Sequence, residues 1–224
     1  GPDGSVILVG GGDPDLLVPP SPDSPDAVTL ADLAKRTATA LGVTADLASG
    51  SPASASADGS SASDSPSAQE TPSASGSAAT DSPVPPSGSG LTSGTRTVVR
   101  VHVDDSLFPG PTTEPSWPDT SLSSCMAKPI MALSVRTPAD PCNPESDPAL
   151  SAGRAFAEQL AAQGVTVTGD VDRLRAPAGA RELTAGQSPQ IAELVEQTSL
   201  RSDNVAAEML AHLAGAKVVG DASF

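Results

Sequence analysis

A run of 46 residues, Ser49 to Gly94, sets the strongest limit on what this chain can fold into. It is dominated by Ser, Ala, Pro, Gly and Thr, holds no Lys, Arg or aromatic residue, and has acids only at Asp58, Asp64, Glu70 and Asp81. Ordering a residue's backbone costs about 1–2 kcal/mol, and a stretch this poor in apolar side chains cannot offset that cost. The reading is a disordered tether over 49–94, or a Ser/Thr/Pro-rich stretch open to glycosylation. Removing it leaves 178 of the 224 residues, enough for a real core. Aromatics are only 2% of the chain, so Val, Leu and Ala must build that core.

Charge excludes several partners. With 12 Lys and Arg against 27 Asp and Glu the net charge is −15, which repels nucleic-acid phosphates. The same sign argues against an anionic membrane surface. No apolar run approaches the roughly 20 residues of a transmembrane segment. The chain opens Gly1-Pro2-Asp3, with neither an initiator Met nor a signal segment, so a removed export signal or a cut from a longer protein is expected.

Cys125 and Cys142 stand 17 positions apart in Pro/Ser/Asp-rich surroundings. Two buried thiols are one reading; one loop-closing disulfide, worth about 3 kcal/mol, is the other. The exposed character of both segments favours the disulfide and hence an oxidising, exported setting. His102 and His212 have no ligand spacing to these cysteines, so neither a metal nor a cofactor is implied.

Along the chain, Ser5 to Val9 reads as a strand stopped by Gly10-Gly11-Gly12. Leu30, Leu33, Thr37 and Leu41 fall on one helical face, with Gly42 as the stop. Thr97, Val99, Val101 and Val103 alternate with Val98, Arg100 and His102, a half-buried strand with His102 on its solvated side. Ile130 to Val135 reads as a buried strand, Ala149 to Gln163 as a helix ending at Gly164, and Val165 to Val171 as a further strand. Such alternation implies an α/β (α+β) sheet with helices packed on it. Near the end, Ser188-Pro189 reads as an N-cap and first helical position. Ile191, Leu194, Val195 and Thr198 form the stripe of that helix; Val205, Met209 and Leu213 form the buried face of the next. Ser202-Asp203-Asn204 stands at the corner between them.

The chain lacks a G-x-S-x-G elbow, H-E-x-x-H, a P-loop and a complete G-x-G-x-x-G. Gly10-Gly11-Gly12 precedes Asp13-Pro14, where an anion would need helix amides, so it reads as a structural turn. Asp104 and Asp105 are adjacent, so on a strand they face opposite ways. Ser-Asp-Asn could be a plain helix cap. It is also one of three motifs of penicillin-interacting serine enzymes, beside S-x-x-K and K-T-G.

The surroundings favour the second reading. The stretch SPQIAELVEQTSLRSDNVAAEMLAHLAG resembles the corresponding part of D-alanyl-D-alanine carboxypeptidases of the penicillin-binding protein 4 (DacB) type, peptidase family S13. LVGGGDPDL is similar to that family's strand-turn LVGGGDPTL, VHVDDSLFPGP to its D-x-S-x-F-x-G-P loop, and DPALSAGRAFAEQLAAQGVTVTGDV to its helix and strand. Four matches in the family's order cover most of the chain outside the tether.

The resemblance implies residues 1–12 as the edge of a penicillin-binding-protein/β-lactamase-like transpeptidase domain, 13–175 as inserted mixed-sheet domain(s), and 176–224 as more of the catalytic domain. It implies an acyl-enzyme carboxypeptidase that takes peptidoglycan stem peptides and reacts with β-lactams. Ser202 and Asn204 would be catalytic, with Asp203 supporting the turn. No S-x-x-K or K-T-G occurs here: Lys35, Lys128 and Lys217 have Asp32, Cys125 and Ala214 three places before them. The nucleophile is therefore not in this chain, and an internal fragment of a longer enzyme is expected, with exposed apolar faces on the first strand and last two helices. A non-catalytic secreted binding module of the cell envelope and an unrelated tethered domain are the other readings. S-x-x-K and K-T-G in the flanking sequence would separate the enzyme from the module; for the unrelated domain the test is whether Ser202 and Asn204 project together into a cleft.

Overall fold

Strand β2 (Val98–Asp104) is the line on which the sheet assembles. In the computed structural model, which describes residues 4–22, 25, 27–43, 96–118, 120–124, 126–136 and 147–224, β1 (Ser5–Val9) lies parallel to one side of it. On the other side run two short parallel strands, β3 (Thr166–Val167) and β4 (Asp172–Arg173). Parallel neighbours require crossovers, and helices supply them: α1 (Leu30–Ala40) follows β1 and α3 (Pro148–Ala162) follows β2. A single turn, α2 (Thr120–Ser123), interrupts the loop between β2 and α3. The fold is mixed α/β with a parallel sheet.

Local signals explain both crossover helices. Thr29 caps α1 by accepting the Asp32 amide at 3.1 Å, while its own hydroxyl donates to Asp32 Oδ2 at 2.9 Å. Asp147 caps α3 by accepting the Leu150 amide at 3.0 Å, and Pro148 occupies the first helical position. Leu30, Leu33, Ala34 and Ala38 of α1 meet Ala149, Ala152, Phe156 and Leu160 of α3 over Val99, Val101 and Val103. Aliphatic residues and one Phe make this core, as the composition required.

The glycine turn after β1 is held by its neighbours' backbones. Gly10 N–H donates to Asp104 O and Gly12 N–H to Ala132 O, both at 2.8 Å. A Cβ on Gly10 would lie 2.6 Å from the Ala132 carbonyl; one on Gly11 would meet nothing within 4 Å. Gly12 has φ +77° and faces Phe108 and Leu213.

Several expectations are corrected. Residues 130–135, buried over 130–133, form no strand: Ile130 N–H bonds Thr112 O, Ala132 O accepts from Gly12, and Arg136 N–H bonds Leu16 O, so no ladder continues. The strand expected over 165–171 is split into β3 and β4, because Thr168 to Val171 bulge out of register with β2 around Gly169. His102 is not solvated. It is 6% exposed and its Nδ1 pairs with Asp172 Oδ1, the residue opposite it in the β2–β4 register. The helix after Ser188-Pro189, α4, is Ile191–Arg201 with Gln190 as an N-cap that makes no side-chain bond. Ser188 instead donates to Asp13 Oδ2 at 2.8 Å. In α5 (Asn204–Val218) the buried residues are Ala206, Met209 and His212, so the expected face is rotated. On α4 only Leu194 is buried, while Ile191, Val195 and Leu200 are exposed. Cys125, Cys142 and the segment 49–94 lie outside the described residues.

Gly10→Ala is expected to destabilise the fold by about 2 kcal/mol or more, because backbone lies in the path of the added methyl. Gly11→Ala should stay within about 1 kcal/mol of the parent. Urea unfolding midpoints of the two variants check the difference.

Candidate functional site

The corner between α4 and α5 brings the sequence motif together in three dimensions. Arg201 ends α4, Ser202 turns the chain, and Asp203 caps α5. Ser202 has φ 52° and ψ 43°, and among the described residues no other non-glycine has positive φ. A left-handed L-residue costs about 1–2 kcal/mol, so neighbouring contacts must hold it there. Ser202 N–H donates to Ser199 O at 3.3 Å and Asp203 N–H to Thr198 O at 3.1 Å. Asp203 Oδ1 accepts the Ala206 amide at 3.0 Å. Asp203 thus supports the turn.

Asn204 reaches a different element. Its Nδ2 donates to Met126 O at 2.8 Å, which leaves the amide oxygen as an acceptor. It lines a cleft of about 220 Å³ together with Trp117, Ser121, Met126, Ala127, Ile130, Val205, Ala207 and Glu208. Ser202 is exposed beside the corner and does not line this cleft.

Aromatic packing fixes α5 against the Pro-rich loop. His212 stacks on Phe108 with centroids 4.9 Å apart and meets Phe224 edge-on at 4.5 Å. Trp117 meets Phe224 edge-on at 5.4 Å. The His212 Nδ1 is bonded to Ala222 O, so this ring is enclosed rather than offered as a ligand. Among the described residues no group of three or more His, Cys, Asp or Glu side chains is placed to hold a metal ion. None of the described helices is long and apolar enough to cross a membrane.

Three acid-centred clusters escaped the sequence reading, each joining segments far apart in the chain. Asp15 lies 2.7 Å from Arg136 Nε and 3.1 Å from Arg201 Nη1. Arg173 bonds Asp105 and Asp147, each at 2.9 Å, which raises its pKa further above the ordinary arginine value. Asp104 accepts the Ser106 amide at 3.0 Å and the Ala176 amide at 2.8 Å. Burial would raise the Asp104 pKa, but bonds from Ser106 and Ala176 and the charge of Arg175 outweigh it and hold the carboxyl below 3.8. Burial also opposes ionisation of Asp147, and bonds from Arg173 and Leu150 N–H reverse that effect. Acids separated by tens of residues give no sequence periodicity, so only a fold could pair them.

Residues 142–224 match the profile of the D-Ala-D-Ala carboxypeptidase 3 (S13) family, a span that contains α3, α4, α5 and the whole corner. Over 119 residues the chain is also 35% identical to Carboxypeptidase Rv3627c of Mycobacterium tuberculosis strain H37Rv. Over residues 142–224, then, the chain is similar to the S13 family. The alignment to the mycobacterial protein covers 51% of this chain and 25% of that protein, so the chain spans about a quarter of its relative's length. No solved structure matches it.

Three outcomes test this geometry. Asp104 and Asp147 have lowered folded-state values, so their contribution is complete above the unfolded carboxylate range near pH 4 and is lost as pH falls through those lowered values. Melting temperature should therefore drop steeply below about pH 4. Asp147→Ala, which also removes the α3 cap, should cost about 1 kcal/mol at neutral pH. Ser202→Gly should be more stable than Ser202→Ala by about 1 kcal/mol, since glycine tolerates the left-handed corner; equal melting temperatures would contradict the strain.

Proposed function

We propose that this chain supplies the Ser-Asp-Asn corner of a serine-type D-Ala-D-Ala carboxypeptidase acting on peptidoglycan stem peptides in the extracytoplasmic envelope. The carrying observation is the strained Ser202, next to an Asn204 that faces a cleft, inside the span that matches S13. Backbone strain kept at a polar residue marks a site where geometry is needed more than stability.

In this reading the nucleophile is the serine of an S-x-x-K motif, a pattern absent from these 224 residues. Its oxygen bonds to the carbonyl carbon of the penultimate D-Ala, the peptide bond breaks, and the terminal D-Ala leaves as an amine after receiving a proton. Ser202 passes that proton from the lysine side to the departing nitrogen. Asn204, whose NH2 is anchored on Met126 O, presents its oxygen to the lysine ammonium or to the substrate's peptide N–H. Water then hydrolyses the acyl ester. β-Lactams enter by the same attack. Residues 1–12 and 176–224 belong to the transpeptidase-like domain of this reading, and 13–175 to the insertion.

The test is covalent labelling with a fluorescent penicillin. The isolated 224-residue chain should take no label, whereas the full-length protein should. In that protein Ser202→Ala and Asn204→Ala should each slow labelling by about 100-fold or more. A labelled 224-residue chain, or an unchanged rate in both variants, would overturn the assignment.

A further inference from the structure

Asp15 is 4% exposed, yet it carries a charge and lies 186 positions from the residue it grips at the corner. Its Oδ1 accepts from Arg201 Nη1 at 3.1 Å and lies at ion-pair distance, 2.7 Å, from Arg136 Nε. We propose that Asp15 is a positioning residue for the corner: its buried carboxylate fixes Arg201 and, through it, the left-handed Ser202. The inference rests on the carboxypeptidase reading above.

The geometry makes Asp15 a rigid anchor. Its own amide is bonded to Asp13 Oδ1 at 2.8 Å, Asp13 Oδ2 accepts the Ser188 hydroxyl, and Gly12 is tied to Ala132 O. Pro14 restricts the backbone between the two acids. The space left among Pro14, Asp15, Leu194, Gln197, Thr198, Arg201, Asp203 and Ala206 is about 10 Å³, room for no more than one water. The Asp15 side of the contact is therefore enclosed, while Arg201 reaches it from the surface.

Two anchors are needed because the corner is one residue long. On its C-terminal side Asp203 is fixed by capping α5 and Asn204 by Met126 O. On its N-terminal side the ion pair places the side chain of the residue covalently joined to Ser202. Releasing it would let the end of α4 rotate and carry the Ser202 hydroxyl off line. A misplacement of about 1 Å costs about 100-fold in rate.

The experiment measures fluorescent-penicillin acylation in the full-length protein, per folded molecule, for Asp15→Asn, Arg201→Gln, the double variant and Ser202→Ala. Asp15→Asn and Arg201→Gln should each lower the maximal acylation rate about tenfold or more, with the half-saturating penicillin concentration changed less than about threefold. The double variant should be no slower than the slower single one, because both remove one contact. Asp15→Glu should restore part of the rate. A role in stability alone would lower the melting temperature and leave the rate per folded molecule unchanged, which would overturn the proposal. So would losses that multiply in the double variant. Should Asp15→Asn not fold, Arg201→Gln reads the same contact from its more open side, and a parental rate there overturns the proposal. Slow Ser202→Ala with fast Asp15→Asn removes only this inference; parental acylation in Ser202→Ala removes the carboxypeptidase reading as well.

Discussion

The turn Gly10-Gly11-Gly12 is the point at which four distant segments are forced into contact. β1 ends there, Asp104 O and Ala132 O take its amides, and Phe108 and Leu213 close over Gly12. A side chain at Gly10 would push the 130–136 coil away from the sheet, since the nearest atoms are backbone and cannot yield. The turn also aims Asp13 and Asp15 outward, one toward Ser188 and the other toward Arg136 and Arg201. The α4–α5 corner is therefore positioned by a glycine turn nearly two hundred residues before it.

That arrangement explains why strain is tolerated at Ser202. The motif side of the corner is held by Asp203 and by the Asn204 bond to Met126 O. The other side rests on the buried Asp15 carboxylate, which would be left short of a charged partner if Arg201 were removed. His212 adds a third restraint by stacking α5 on the same Pro-rich loop that bears Trp117. The corner is held from three directions.

Much of the scaffold was legible in the sequence. Leu30, Leu33 and Thr37 mark the buried face of α1, and Gly42 and Gly164 mark the stops of α1 and α3. Ser202-Asp203-Asn204 stood out because its neighbours resembled a known family as well. Long-range decisions were not legible. Residues 130–135 have strand composition, but Ile130 N–H goes to Thr112 O, Ala132 O accepts from Gly12 N–H, and the next residue, Arg136, gives its N–H to Leu16 O. His102 looked solvated because alternation says nothing about the next strand, where Asp172 sits in register with it. Ser188 has the chemistry of a cap, and Asp13 claimed its hydroxyl first. Asp15 carried no local signal at all; its meaning comes from two arginines brought to it by the fold.

The most direct test is a crystal structure of the full-length protein acylated by a β-lactam. The account predicts that the Ser202 hydroxyl and the Asn204 amide lie within hydrogen-bonding distance, roughly 3 Å, of the S-x-x-K lysine or the bound adduct. A structure in which Ser202 stays left-handed but both groups face solvent, far from the acylated serine, would contradict it.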